Sequence, residues 1–202
     1  MNHTLYYIHD PMCSWCYAFG PVLTKLQQAL PESVRMERLL GGLAPDNTTP
    51  MDEAMRQRLE ATWQRIEKSV PGTTFNFDFW RHGTPYRSTY PSCRAVIAAM
   101  QQGREYDEVM NKAIQQAYYQ QARNPSKVDT LIEIASEIGL DSEAFAQAIA
   151  SEEVESELQR QIAFAAEIGA DSYPALILAV NDHSRWPVAI DYNDAAPMLD
   201  TI

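Results

Sequence analysis

The sequence of 202 residues is poor in cysteine, in basic side chains and in long apolar runs. Three cysteines are too few for a small secreted domain held together by disulfide bonds. No stretch of about 18 apolar residues occurs, which argues against a transmembrane helix. Sixteen basic residues stand against 27 acidic ones, and the net charge of −11 repels phosphate backbones and anionic lipid surfaces. The composition therefore disfavours nucleic-acid and membrane partners.

The rest of the composition is that of an ordinary globular protein, with 46% apolar and 21% charged residues. The length predicts one compact domain with an insertion rather than two independent domains. Residues 1–10 contain no basic segment followed by an apolar one, so no signal peptide is predicted. If the chain is complete, we expect a cytoplasmic protein. In that reducing compartment a close cysteine pair is catalytic, redox-sensing or metal-binding rather than structural.

Hydrophobic patterns predict strands towards both ends of the chain and helices between them. The segments predicted as strands are 4–8, 34–40, 175–180 and 186–190. The segments predicted as helices are 51–70, 92–100, 106–119, 128–138, 152–168 and 193–199, and Asp141 or Ser142 caps one more. No fixed-period repeat occurs, which disfavours a helical solenoid.

The order of these elements predicts an α/β fold. A strand, a helix and a second strand at the start of the chain call for a parallel pair with a right-handed crossover. Residues Asn181–Ser184 predict a hairpin turn, so that the last two strands extend the same sheet in antiparallel orientation. Pro187 has no amide hydrogen, so its strand begins there or lies at a sheet edge. The long helical block then has to be an insertion packed on one side.

The segment Asp10–Pro21 contains Cys13 and Cys16, directly after a predicted strand and at the start of a helix. The free N–H groups and the positive dipole end of a helix stabilise an anion, so the thiolate of Cys13 is favoured. The thiolate is the nucleophile in disulfide exchange. Cys16 lies one turn along the same face, where it can attack a mixed disulfide at Cys13 and release the partner. A CxxC pair at such a junction predicts redox chemistry.

Three other interpretations of the cysteines are open. A CxxC pair is half of a zinc knuckle, but no second CxxC or CxxH occurs and Cys93 has no nearby histidine in the sequence. The pair could be two inert buried thiols, because free cysteines are often buried. A structural disulfide is disfavoured, because its small loop removes little entropy from the unfolded chain. For Cys93 itself, burial in the helical block is favoured over a second redox thiol.

The segment Tyr7–Pro21 resembles the active-site segment of cytoplasmic DsbA-like thioredoxin-fold proteins, and is close in pattern to FrnE-like proteins. A second segment, Gly169–Ile177, is similar to that family's cis-proline loop, with Pro174 opening the third strand. The resemblance implies a thioredoxin-like fold with a helical domain inserted between the N-terminal βαβ unit and the C-terminal β-hairpin and helix. It implies a thioredoxin-like domain of residues 1–44 and 169–202 and an all-helical insertion of residues 45–168.

The same resemblance implies roles at the site. Cys13 and Cys16 are the catalytic dithiol, and Pro174 forms a cis peptide bond against them. The backbone of Tyr173 pairs with an extended substrate chain, a form of strand addition. Trp15, between the two cysteines, flanks the site as an apolar docking surface.

One departure from the family pattern concerns the proton acceptor for Cys16. Thioredoxin and its periplasmic relatives have an acid six positions before the first cysteine, where this chain has Tyr7. Asp10 is either that acceptor or, as its Asp-Pro turn favours, a cap of the following helix. His9 is favoured as a strand residue with a satisfied ring over a base, and Arg38 is among the arginines expected on solvated faces.

These predictions together indicate a thiol–disulfide oxidoreductase, similar to an oxidase or isomerase, that acts on protein or small-molecule thiols and disulfides, with glutathione as a candidate. No organic cofactor and no metal is required. Two alternatives stay open. One is a glutathione-dependent isomerase or transferase of the kappa or chromene-carboxylate isomerase type, which generally has serine in place of the first cysteine. The other is a non-enzymatic redox sensor or binding module. The direction of catalysis and the oligomeric state do not follow from the sequence.

Overall fold

The computed structural model of the protein describes residues 3–83, 85–180 and 184–202. The strands are β1 (His3–His9), β2 (Val34–Leu40), β3 (Ala175–Val180) and β4 (Ser184–Val188). The helices are α1 (Ser14–Ala29), α2 (Glu53–Ser69), α3 (Asp78–Arg81), α4 (Tyr90–Met100), α5 (Tyr106–Tyr119), α6 (Val128–Glu137), α7 (Ser142–Ile149), α8 (Glu152–Glu167) and α9 (Ala196–Leu199). No described helix has the length and apolar character needed to cross a membrane.

The strands form one mixed sheet in the order β2-β1-β3-β4. β1 and β2 are parallel, as the strand–helix–strand start predicts, and β3 pairs with both β1 and β4 in antiparallel orientation. The predicted α/β architecture is confirmed. Pro187 lies on the edge strand β4, opposite Ile177 of β3, as its missing amide hydrogen requires. The predicted hairpin turn falls largely on residues 181–183, which lie outside the described part of the chain.

Alternation along β1 divides its side chains between two helical layers. Tyr7 packs on one face with Phe19 of α1 and Met198 of α9. Ile8, the next residue, packs on the other face with Ala165 of α8. The sheet therefore lies between α1 and α9 on one side and the end of α8 on the other.

A second core lies among the helices α4 to α8. It is built from apolar residues at helical spacing, which include Val96, Met110, Ile114, Leu131, Phe145 and Leu158. The helix α8 contributes Leu158 to this core and Ala165 to the layer against the sheet, so it joins the two parts of the molecule. The division into residues 1–44 with 169–202 and residues 45–168 stays a prediction.

A third cluster, which is mainly aromatic, fills the space between α1 and the helices α2, α3 and α5. Its largest buried members are Trp63, Phe75, Phe79, Trp80, Tyr118 and Tyr119, and Ala18 of α1 packs with them. Tyr17 stacks on Tyr119, with ring centroids 4.6 Å apart. Burial of so many aromatic rings holds the start of α1 firmly against the helical layer.

Three sequence expectations differ from the structure. The helix α3 was not predicted, because four residues are too few to show a hydrophobic period. The last helix begins at Ala196 rather than 193, since the Asp191 carboxylate accepts from the backbone of Asn193 and Asp194 and holds a turn there. Arg38 is not on a solvated face. Its side chain is 13% exposed and pairs with Asp107 at 3.1 Å.

Candidate active site

The start of α1 places the first cysteine at the cap of the helix. β1 ends at His9, and the amide of Cys13 then donates to the carbonyl oxygen of Asp10 at 3.0 Å, which closes a turn. Cys13 is the N-cap residue, and its Sγ accepts a hydrogen bond from the amide of Cys16 at 3.3 Å. A sulfur at this position lies where the unpaired N–H groups of the first turn favour negative charge.

The two sulfurs differ in their surroundings although one helical turn separates them. Cys13 is 5% exposed and Cys16 is 1% exposed, and both are free thiols. Burial raises the pKa of the Cys16 thiol, and its hydrogen bond to Cys13 raises that pKa further. Cys16 is therefore held as a neutral thiol that donates towards the Cys13 sulfur.

The loop before β3 approaches the dithiol through the backbone of Tyr173. The Tyr173–Pro174 peptide bond is cis, as the resemblance implies. The Sγ of Cys13 lies 3.5 Å from the carbonyl oxygen of Tyr173. Among the residues that the structure describes, no acceptor for the Tyr173 amide is found. A backbone N–H that has no partner beside a reactive sulfur is available to an added strand.

The Tyr173 ring is fixed by the end of β2. Its hydroxyl donates to the carbonyl oxygen of Gly41 at 2.7 Å. A Cβ atom at position 41 would overlap the ring carbons of Tyr173, so only glycine permits this approach. Sequence reasoning took Gly41 as the end of a strand and missed this contact.

Asp10 is fully buried and its carboxylate receives four donors. The amides of Met12 and Leu43 donate at 2.8 and 2.7 Å, the Thr89 hydroxyl at 2.6 Å and the Cys93 thiol at 3.5 Å. Burial raises the pKa of Asp10, and the hydrogen bonds counter part of that rise. The prediction that Asp10 caps α1 is wrong, because Cys13 is the N-cap residue and Asp10 connects the turn to the helical layer.

A buried polar group lies behind the dithiol on β1. The rings of Tyr7 and His9 stack with centroids 4.9 Å apart, and the Arg38 guanidinium lies 5.6 Å from the Tyr7 ring. Burial raises the pKa of Tyr7, and the neighbouring Cys16, which is hydrogen-bonded to Tyr7, raises it too. The tyrosine therefore fills the position of the family's acid as a neutral group that contacts the second cysteine.

The prediction of a satisfied His9 ring is wrong in part. The residue does lie in β1, and its Nε2 is 3.5 Å from Nη2 of Arg38. Within the described residues, however, its buried Nδ1 has no hydrogen-bond partner. Burial lowers the pKa of His9, and the nearby Arg38 charge adds to this effect, so the ring stays neutral.

Trp15 is half-buried beside the cysteines. Its ring is 5.0 Å from that of Tyr192, and the guanidinium of Arg65 lies 5.6 Å from its centroid.

Cys93 is completely buried on α4, as expected, and burial raises the pKa of its thiol. Sequence reasoning missed Thr89, although a threonine directly before a helix is a visible signal. Thr89 is the N-cap residue of α4, but its hydroxyl donates to Asp10 and makes no cap hydrogen bond. No group of three or more metal-ligating side chains is found in the described segments.

A thioredoxin family model matches residues 6–196 of the chain. The chain belongs to this family. Among solved structures it is similar to a candidate protein disulfide isomerase from Nitrosomonas europaea, with 25% identity and a TM-score of 0.85 over 100% of this chain and 97% of that one. It is also similar to the cytosolic disulfide reductase DsbM from Pseudomonas aeruginosa, with 25% identity, a TM-score of 0.75, and coverage of 92% and 89%.

Curated relatives point to a second kind of protein. The chain is 27% identical to the ClpXP adapter protein SpxH of Bacillus subtilis over 89% of its own length. It spans 59% of that relative and 57% of the corresponding protein of Halalkalibacterium halodurans. The family match and the structural relatives confirm the DsbA-like thioredoxin fold that the sequence resemblance implies.

Proposed function

We propose that this protein is a thiol–disulfide oxidoreductase that acts on protein or small-molecule disulfides and thiols in the cytoplasm. The main support is the Cys16 amide, which donates to the Cys13 sulfur at the start of α1, beside the Tyr173 carbonyl. The fold is the DsbA-like one, and a structural relative at 25% identity is a cytosolic disulfide reductase.

In the proposed reaction the Cys13 thiolate attacks a substrate disulfide. A bond forms between Cys13 and one substrate sulfur, and the other substrate sulfur leaves as a thiolate. Cys16 then loses its proton and attacks the Cys13 sulfur, so that the second substrate thiol leaves and the Cys13–Cys16 disulfide forms. Two electrons pass from the dithiol to the substrate. The reverse sequence oxidises a substrate dithiol.

The other site residues take supporting roles in this proposal. Tyr173 pairs with an extended substrate through its free N–H, Pro174 shapes that loop, and Trp15 offers an apolar surface beside Cys13. Asp10 accepts the Cys16 proton, because burial raises its pKa and makes it a stronger base, and because its charge acts on Cys16.

A trapping experiment tests this function. Cys16→Ser in a Cys93→Ser background leaves Cys13 as the single thiol. Incubation with a protein or small disulfide should then give a stable mixed disulfide at Cys13, detected by mass spectrometry. The matched variant Cys13→Ser in the same background, which keeps Cys16, should give none. Absence of an adduct at Cys13, or equal adducts in both variants, would contradict the proposal.

The same variants separate the two alternatives. A glutathione-dependent isomerase or transferase does not need a resolving thiol, so it would keep its turnover after Cys16→Ser. A binding module such as the ClpXP adapter relatives would bind its partner with the dithiol mutated and would show no turnover with any disulfide. The presence of both cysteines favours the oxidoreductase.

The direction of catalysis depends on how strongly the reduced form is stabilised. Equilibration of the Cys13–Cys16 couple in glutathione redox buffers measures the reduction potential. A potential near that of thioredoxin would make the protein a reductase in the cytoplasm, and one near that of DsbA would make it an oxidase.

A further inference from the structure

A cavity of about 170 Å³ opens beside Cys13, between the two layers of the molecule. Cys13, Trp15 and Tyr173 line it from the thioredoxin-like side, and Trp63 and Tyr118 line it from the helical side. Aromatic and aliphatic side chains make up most of its walls, so a charge inside it is poorly screened by water. The cavity is smaller than the 300–1,000 Å³ that is typical of whole small-molecule sites, so it accepts only part of a ligand.

Arg87 is the single charged side chain that lines this cavity in the described residues. None of the lining residues is acidic, although the chain has a net charge of −11. The acids on the far side of Arg87 are engaged elsewhere, because Asp46 pairs with Arg94 and Asp52 accepts from the amide of Met55. Burial of part of a guanidinium with no anion against it costs free energy.

The other arginines do not share this situation. Seven of them form ion pairs with carboxylates, namely Arg35, Arg38, Arg81, Arg94, Arg123, Arg160 and Arg185. Arg56 donates to the carbonyl oxygen of Trp80, and the remaining ones, Arg58, Arg65 and Arg104, are exposed to water. Within the described part of the chain, Arg87 is thus the half-buried arginine for which no acidic or carbonyl partner is found.

We propose that Arg87 binds the carboxylate of a low-molecular-weight thiol or disulfide whose sulfur reacts with Cys13. This inference rests on the proposed function and assigns that function a substrate class. A guanidinium recognises a carboxylate through paired N–H donors, which fixes the orientation of the ligand as well as its charge. A second concavity of about 390 Å³ shares Leu43, Met51 and Arg87 with the first, so a ligand can extend past the arginine.

The reaction at this site balances as a two-electron exchange. The reduced dithiol and one anionic disulfide give the Cys13–Cys16 disulfide and two thiols. The first thiol leaves when Cys13 attacks, and the second leaves when Cys16 attacks Cys13. The protons of the dithiol end on the two departing thiols. Arg87 contacts the carboxylate in the first step and takes no part in electron transfer.

The test compares a charged and an uncharged oxidant. Oxidation of the reduced protein is followed by quenched-flow mass spectrometry with glutathione disulfide, which carries carboxylates, and with bis(2-hydroxyethyl) disulfide, which does not. Arg87→Gln should lower the second-order rate constant for glutathione disulfide about tenfold, equivalent to about 1.4 kcal/mol, and leave the rate for the neutral disulfide unchanged. The rate constant of Arg87→Lys for glutathione disulfide should lie between those of the native protein and Arg87→Gln, because lysine keeps the charge and loses the paired N–H donors.

The control Arg104→Gln removes the same charge from an exposed position and should leave both rates unchanged. An equal fall with both oxidants after Arg87→Gln, or no fall with glutathione disulfide, would overturn the inference. Insulin, a protein disulfide, should be reduced at the same rate by Arg87→Gln and the native protein. A tenfold loss there would overturn the assignment to small thiols. If the native protein reacts with none of the three, the proposed function itself fails.

Discussion

The two sides of the dithiol contrast sharply. On the open side, Cys13 contacts the Tyr173 carbonyl and borders a cavity lined by Arg87, for which the described residues supply no anionic partner. On the closed side, Cys16 lies against the charge of Asp10 and the ring of Tyr7, and burial raises its pKa. A single helical turn separates a sulfur that borders a cavity from one enclosed in a packed layer, because the start of α1 lies at the boundary between the two.

The largest expected effect is a difference in the rate of alkylation between Cys13 and Cys16. Iodoacetamide should modify Cys13 in the native reduced protein, because its sulfur borders the cavity and accepts a hydrogen bond from the Cys16 amide at the start of α1. Cys16 and Cys93 should react only after unfolding, since burial raises the pKa of both thiols. Peptide mass mapping after native and denaturing labelling measures this. Labelling of Cys16 in the native protein at the rate of Cys13 would contradict this difference between the two sulfurs.

Asp10→Ala should destabilise the packed layer on the closed side of the dithiol. The change leaves the amides of Met12 and Leu43 and the hydroxyl of Thr89 without their buried acceptor. We expect the free energy of unfolding to fall by about 3 kcal/mol or more, measured by urea denaturation. The control Asp78→Ala removes an exposed carboxylate and should change stability by less than about 0.5 kcal/mol. Equal effects of the two changes would show that Asp10 has no special structural role.

Gly41→Ala should disturb the open side. The added methyl group overlaps the Tyr173 ring, which must shift, so that its hydroxyl loses the hydrogen bond to the Gly41 carbonyl. We expect the free energy of unfolding to fall by about 2 kcal/mol and disulfide exchange to become slower. The matched change Gly20→Ala on α1 meets no atom within 4 Å, and the following Pro21 offsets the usual gain of Gly→Ala in a helix, so the free energy of unfolding should change by less than about 1 kcal/mol in the same denaturation. A Gly41→Ala protein with native exchange rates would argue against a role for the Tyr173 ring.

The smallest expected effect concerns pH and the layer behind the dithiol. His9 has a lowered pKa in the fold, so below its ordinary value of about 6.5 the unfolded chain binds a proton that the folded chain does not. Stability should therefore fall as pH drops below about 6.5, by at most about 1.4 kcal/mol per pH unit from this residue. His9→Phe should remove that slope in urea titrations at pH 7 and pH 5.

The exposed His82 provides the control for this measurement, since His82→Gln should leave the slope unchanged. The raised pKa values of Asp10 and Asp107 act in the opposite direction, because an acid that is protonated more easily in the fold loses stability as pH rises. Both acids are present in the native protein, in His9→Phe and in His82→Gln, so the difference in slope between His9→Phe and the native protein isolates the histidine. An unchanged slope in His9→Phe would contradict its buried, neutral state.

Local patterns were enough to predict most of the framework. β-Forming residues identified β1, alternation identified β2, a short apolar run before a turn identified β3, and the helical period identified the long helices within a few residues of their ends. The parallel pair and the antiparallel extension followed from the order of these elements. The short helix α3 was missed, because one turn contains no repeat to detect. The cysteine pair was placed correctly at the start of a helix.

The sequence did not predict which distant residues contact the site residues. Asp10 meets Thr89 and Cys93 from a helix some 80 positions away, and its own turn suggested a local cap instead. Arg38 looked solvated in an alternating strand, but the first turn of α5 covers it and supplies Asp107. Arg87 gave no signal at all, because the lack of a partner is visible only when every neighbour is in place.

The sequence by itself determined that a dithiol follows a strand and begins a helix, and that a proline loop precedes the third strand. These features depend on residues close together in the chain, where backbone periodicity and the chemistry of helix ends decide the outcome. The tertiary structure alone decided which sulfur faces a cavity, which carboxylate is buried, and which arginine lines that cavity. Each of these depends on chain segments far apart in sequence, whose contact is set by packing of whole layers rather than by any local pattern.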